Sequence, residues 1–289
     1  MSLNPNVRAT TVEASDNLLA TRQHGRIRPW HFAAAALAYL AMAWVLFFAV
    51  DVFNLFGSRD LLSRVLPDNP STWYQLFRDG RVTEWLQWGA LGIAGLIAAI
   101  HAGRLYERQD PAAQRLARFW VLIALALTLM LIEDAGNVRH MLRWYAYRLT
   151  DMVMAERAVE FAYFSVLAGI PLYALLRYWR DHRQHGPTHR YLLAAFAFYG
   201  IAGLSSATRH WGEWHDRVGE AALATIRRVD ENFVIYRHVS YDGQVREGYW
   251  LMDMIVEESV ELLGATMFLC AAMAFLHVLR GGERRPDAA

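Results

Sequence analysis

Six apolar stretches constrain this chain more than any other feature. Trp30–Val50, Trp85–Ala102, Leu116–Ile132, Phe161–Leu176, Tyr191–Ala207 and Ile255–Leu279 are each mostly uncharged. About 20 apolar residues cross the roughly 30 Å hydrocarbon layer of a bilayer as a helix. Backbone polar groups at that depth must be satisfied inside the segment, which favours helix over loop. The fourth and fifth stretches are short and need flanking residues to cross. The pattern predicts an all-α membrane protein, a bundle of six transmembrane helices over residues 30–280, between polar tails at 1–29 and 281–289. A soluble helical protein with a large buried core is the alternative, but its connecting helices would need amphipathic faces that the sequence does not show.

Charge suggests an orientation. All 29 basic residues are arginine. The connections at 103–118 and 177–190 each place four arginines beside span ends, the bias of cytoplasmic loops. The connection at 139–158 also carries four, which weakens the contrast. The first stretch follows Arg22, Arg26 and Arg28 with no small-residue cleavage site after it, the pattern of a signal anchor. Both termini are expected in the cytoplasm, with 51–82, 139–158 and 208–249 as outer loops. The loop around Pro67-Asp-Asn-Pro70 is expected to be irregular, with a short helix at 72–78. In the last loop, Glu213–Val229 has amphipathic spacing, with Val218, Ala221, Ala222, Ile226 and Val229 apolar. Asp242-Gly243 between the β-prone runs Phe233–Val239 and Gln244–Trp250 signals a hairpin. A small periplasmic cap of helix plus β-hairpin is expected.

This orientation collects acids at one level. Glu84 opens the second span, Glu133 and Asp134 close the third, and Glu160 opens the fourth. Asp253, Glu257, Glu258 and Glu261 run through the start of the sixth. A carboxylate at the bilayer centre costs about 3 kcal/mol or more unless it is paired, protonated or bound to a cation. Asp253, Glu257 and Glu261 lie at i, i+4 and i+8, a helical stripe of about 12 Å. Gly264 and Ala265 continue that stripe and permit close helix approach, so the acid face should point into the bundle. Like charges this close must share protons or a cation.

Glu257, Glu258, Glu261, Glu133, Asp134, Glu84 and His210 are therefore the candidate ligands for protons or a divalent metal ion. Oxygen ligands alone suit Mg, Ca or Mn, and an imidazole admits Zn or Fe. Each residue also has a plainer role open to it. Glu84 and Glu160 can be anions at helix N-termini. Glu133 and Asp134 can pair with Arg139 or Arg209, and the acids of the sixth span can pair internally and fix helix register.

Other signatures are missing. No zinc-protease, Walker, esterase-elbow or dinucleotide motif occurs. The single cysteine, Cys270, excludes an internal disulfide and reads as a small buried residue. His101 and His277 read as interfacial. Tryptophan and tyrosine near the acid-bearing span ends form an aromatic belt in contact with membrane lipids. A net charge of +1 gives no pointer to nucleic acid. Glu84 with Gly89, Glu160 with Gly169 and Glu261 with Gly264 hint at three related hairpins, each an acid followed by a small residue.

The segment Arg78-Asp-Gly-Arg-Val-Thr-Glu84-Trp-Leu-Gln87, the pair Glu133-Asp134 and the run Glu257-Glu258-Ser-Val-Glu261-Leu-Leu-Gly264-Ala265 resemble a family of uncharacterised bacterial polytopic inner-membrane proteins with membrane-embedded Glu-Glu motifs. Where that family has Trp-Gly-Gln-Arg after the middle-span acids, this chain keeps only Arg139. The resemblance implies a layout in a bacterial inner membrane and carries no activity.

Three functions stay open. The acids bind a cation or protons, with or without transport. They serve an enzyme acting on a lipid-linked substrate at the outer leaflet, one carboxylate acting as general base. Or they are struts in an accessory subunit, paired to Arg139, Arg143 and Arg209.

Overall fold

A computed structural model describes residues 27–66, 71–208, 213–231, 233 and 247–282, and among these residues there is no strand. Helix α1 (Pro29–Leu46) runs on through a π-helical turn, Phe47–Val52. Short helices α2 (Ser58–Val65) and α3 (Thr72–Phe77) follow. Then come α4 (Val82–Tyr106), α5 (Pro111–Gly136), α6 (Val138–Thr150) and α7 (Val153–Arg177). The chain continues through α8 (Trp179–Arg183), α9 (Gly186–Thr208) and α10 (Trp214–Arg227). It closes with α11 (Glu247–Trp250), a second π-helical turn at Leu251–Glu257, and α12 (Glu258–Gly282).

Six helical segments are long and apolar enough to cross a bilayer: Pro29–Val52, Thr72–Tyr106, Pro111–Gly136, Val153–Arg177, Gly186–Thr208 and Glu247–Leu279. Large apolar side chains such as Val45, Leu96, Phe161, Leu176 and Leu204 stand exposed along them. An unbroken display of this kind is what a lipid-facing surface requires. The chain is an all-α, multi-pass integral membrane protein.

Local chemistry sets the ends of these helices. Asp110 caps α5 by accepting from the backbone N–H groups of Ala112 and Ala113 at 3.3 and 3.1 Å, with Pro111 in the first turn. The same helix stops where Asn137 takes a left-handed conformation at φ 50°. Along α4, Ala90, Ala94, Ala98 and Ala102 recur every four residues and are all buried. That small-residue stripe lets α5 and α12 approach closely, the packing expected where no aqueous driving force holds helices together. α12 is central: 67% of its apolar window is buried, against 22% for α1 and 17% for α7.

Several expectations change. The segment 139–158 is not an open loop; α6 and the start of α7 fill it as a helical hairpin. Residues 234–246, most of the expected hairpin, lie outside the described residues, and the described part of its second strand, Glu247–Trp250, is helical. Two backbones fix that segment. Gly219 of α10 lies so close to Gly248 that a Cβ on either would overlap the other chain segment. The Gly248 N–H also donates to Glu220 at 2.9 Å, and Arg227 pairs with Glu247.

The amphipathic helix is present, but with another face inward. Val218 and Val229 are exposed, while His215, Gly219 and Leu223 are buried. Ser205 and His215 Nε2 lie 2.7 Å apart and tie α10 to α9. His101 is fully buried in the bundle: its Nε2 lies 2.8 Å from the Ala272 carbonyl, and its ring packs edge-on to Trp120 and Phe275. The short helix at 72–77 forms under Asp51, whose carboxylate accepts from Thr72 N, Thr72 Oγ1 and Trp73 N at 2.9, 2.6 and 2.9 Å.

Candidate functional site

Acids from three spans meet at the end of the bundle where α4 begins, α5 ends and the 247–282 segment starts. Glu84 sits in the first turn of α4, a position the helix dipole favours for an anion, and accepts from the Gly80 N–H. Gly80 can make that turn because its φ of 72° costs glycine nothing. Glu133 and Asp134 end α5. Asp253 and Glu257 belong to the π-helical turn, and Glu258 and Glu261 to the first turns of α12. The wider π turn breaks the regular stripe drawn for an α-helix, and all four of these acids face one space.

That space is a cavity of about 490 Å³. Eight carboxylates line it: Asp79, Glu84, Glu133, Asp134, Asp253, Glu257, Glu258 and Glu261. The basic groups on its wall are Arg139 and His140, and its aromatic wall is Trp88, Tyr249 and Trp250. Of the seven sequence candidates, Glu257, Glu258, Glu261, Glu133, Asp134 and Glu84 are therefore brought together. His210 lies outside the described residues.

The acids differ in what satisfies them. Glu133 is committed to structure: its Oε2 accepts from the Arg139 N–H at 2.9 Å, and its Oε1 lies 3.4 Å from Arg139 Nε. It thereby caps the first turn of α6 across the break at Asn137. The Arg139 guanidinium also donates to Ser206 at 3.2 Å and lies 4.7 Å above the centre of the Phe164 ring.

Asp134 and Glu261 are held by Gln87 instead. This fully buried amide donates to Asp134 Oδ2 at 2.7 Å and to Glu261 Oε2 at 3.0 Å, joining α4, α5 and α12. The ring of the neighbouring Tyr199 lies so close to Gly264 that a Cβ there would overlap it. Gly264 is thus the close-approach residue expected from the sequence. A Cβ at Gly89 or Gly169 would meet open space, so the packing gives the suggested three-hairpin repeat no support.

Glu258 stands apart. It is 9% exposed, it lines the cavity, and its Oε2 has no hydrogen-bond partner. Among the described residues, no ion pair reaches Glu84, Asp134, Glu258 or Glu261, and no three His, Cys, Asp or Glu side chains converge closely enough to hold a metal ion in their present arrangement. A buried carboxylate in low dielectric with neither a partner nor a counter-charge costs several kcal/mol, so the arrangement calls for protons or an added cation.

The sequence assigned no site role to Gln87, Asp79, Trp88 or Tyr199. Gln87 had one visible signal, a neutral hydrogen-bonding residue one turn after Glu84 inside an apolar run. Glu160, by contrast, does not line the cavity. It bonds Arg143 at 3.0 Å, and Arg143 also pairs with Glu156. Comparison of the chain with family models, curated proteins and solved structures returns no match.

Proposed function

We propose that this integral membrane protein binds cations or protons in the carboxylate cavity, that the cavity opens to the outer face of a bacterial inner membrane, and that both termini are cytoplasmic. One observation carries the reading: Glu258 is buried with an unpartnered oxygen inside a space walled by eight carboxylates and two basic side chains. Arginine pairing supports the strut reading for Glu133, Glu156 and Glu160. It leaves Glu84, Asp134, Glu258 and Glu261 without an arginine among the described residues. Beneath the cavity the bundle is filled by Leu91, Ala94, Leu127, Ala265 and Phe268. A packed floor of this kind favours binding from one side over conduction through the bundle.

The test is a thermal-unfolding series in detergent across pH, monovalent salts and divalent metals, on wild type, Glu258→Gln and Glu261→Gln. The reading expects a cation- or pH-dependent stabilisation of the wild type that both variants lose. An unresponsive wild type, with both variants strongly destabilised, would return the acids to a strut role.

A further inference from the structure

We propose that the cavity's ligand is an organic cation, a linear di- or polyamine, and not a bare metal ion. The inference rests on the cation reading above and narrows its ligand.

Three features of the site point this way. The first is spacing. A metal needs several oxygens within about 2.0–2.6 Å of one point, and the carboxylates here form no such group among the described residues. They are distributed along the wall, from Glu84 on α4 through Asp134 on α5 to Asp253 and Glu261 on the last segment. Asp253 and Glu261 alone stand eight residues apart, one in the π-helical turn and one in α12. Charge spread over that distance matches several ammonium groups on one flexible chain.

The second is volume. A cavity of about 490 Å³ is on the scale of small-molecule sites, which run from about 300 to 1,000 Å³, and would leave a single ion unsupported. The third is the aromatic wall. Trp88, Tyr249 and Trp250 share the cavity with the acids, and an ammonium over a tryptophan or tyrosine face gains cation–π attraction, while its methylenes gain apolar contact. Metal ions make little use of such walls. The molecule already satisfies one of its own organic cations in this manner: the Arg139 guanidinium lies between the Glu133 carboxylate and the Phe164 ring.

Glu258 supplies the unpaired acceptor that a ligand ammonium would fill, because its Oε2 is buried and has no hydrogen-bond partner among the described residues. An ammonium donates three hydrogen bonds and so can bridge Glu258 and a neighbouring acid at once.

The experiment is isothermal titration calorimetry on the full chain in detergent at fixed ionic strength and pH. Spermidine and putrescine are compared with MgCl2, CaCl2 and MnCl2. The expected result is a Kd for spermidine at least tenfold below that of any divalent metal. Glu258→Gln should weaken spermidine at least tenfold, and Trp88→Leu several-fold, with both variants monodisperse and helical. The wild-type ranking stands even if a variant misfolds. A divalent metal that binds more tightly than spermidine overturns the organic-cation assignment and leaves the cation reading in place. No binding by any of these cations, together with a pH-independent melting temperature, overturns both.

Discussion

Two groups of acids sit toward the same end of this bundle and are treated in opposite ways. In the α6–α7 hairpin, Glu156 and Glu160 converge on Arg143, and all three side chains are mostly buried. In the cavity, Asp134 and Glu261 share one neutral amide, and Glu258 keeps an unpartnered oxygen. In the hairpin each acid has an arginine partner. In the cavity, Glu84, Asp134, Glu258 and Glu261 have no ion pair among the described residues. Paired charge is a structural device, and on the reading proposed above the unpaired acids are kept for a ligand.

The contrast can be broken by substitution. Arg143→Leu removes the arginine shared by Glu156 and Glu160 and should have the largest effect, a loss of about 3 kcal/mol read as a drop in unfolding temperature in detergent. Adding Glu156→Gln and Glu160→Gln to that variant should recover most of the loss, because no uncompensated charge then remains. Next is Gln87→Leu. Its amide is the donor to both Asp134 and Glu261, so the variant should lose about 2 kcal/mol without ligand, and an added cation should restore part of it. Glu133→Gln weakens the ion pair with Arg139 but keeps an oxygen for the Arg139 N–H, and should cost about 1–2 kcal/mol in the same assay. The smallest effect belongs to Glu258→Gln, within about 1 kcal/mol of the wild type in the absence of cation, since it removes a charge that nothing in the protein balances. A loss there as large as that of Arg143→Leu would erase the distinction between the two groups.

The sequence made some of this legible and hid the rest for physical reasons. The six spans could be read because apolar length is set by bilayer thickness, a constraint local to each segment. The convergence of Glu84, Glu133, Asp134, Glu257, Glu258 and Glu261 could be read because helical spacing and alternating span direction place them at one level. Partnership could not. Gln87 contacts acids 47 and 174 positions away, and Asp51 caps a helix that begins 21 positions later; neither pairing has a local signature. The burial of His101 has no local signature either, because its acceptor, the Ala272 carbonyl, lies on another span. The helical hairpin that starts at α6 has no signature in an arginine count, and the partners of Arg143, Glu156 and Glu160, lie 13 and 17 positions along the chain. The π turn at Leu251–Glu257 has no apolar or charge pattern that separates it from an α-helix, yet it sets how the acids of the last span face the cavity.

The central claim is that the cavity acids are kept for a ligand and not for the fold. The most direct measurement is the unfolding temperature of wild type and of the Glu258→Gln/Glu261→Gln double variant in detergent, as a function of added spermidine and of added calcium. A ligand present at 100 times its Kd stabilises the folded state by about 2.7 kcal/mol. The account predicts that the wild-type temperature climbs with one of these cations, while the double variant unfolds near or above the unliganded wild type and does not respond. A double variant that unfolds several degrees lower, beside a wild type indifferent to both cations, would contradict it.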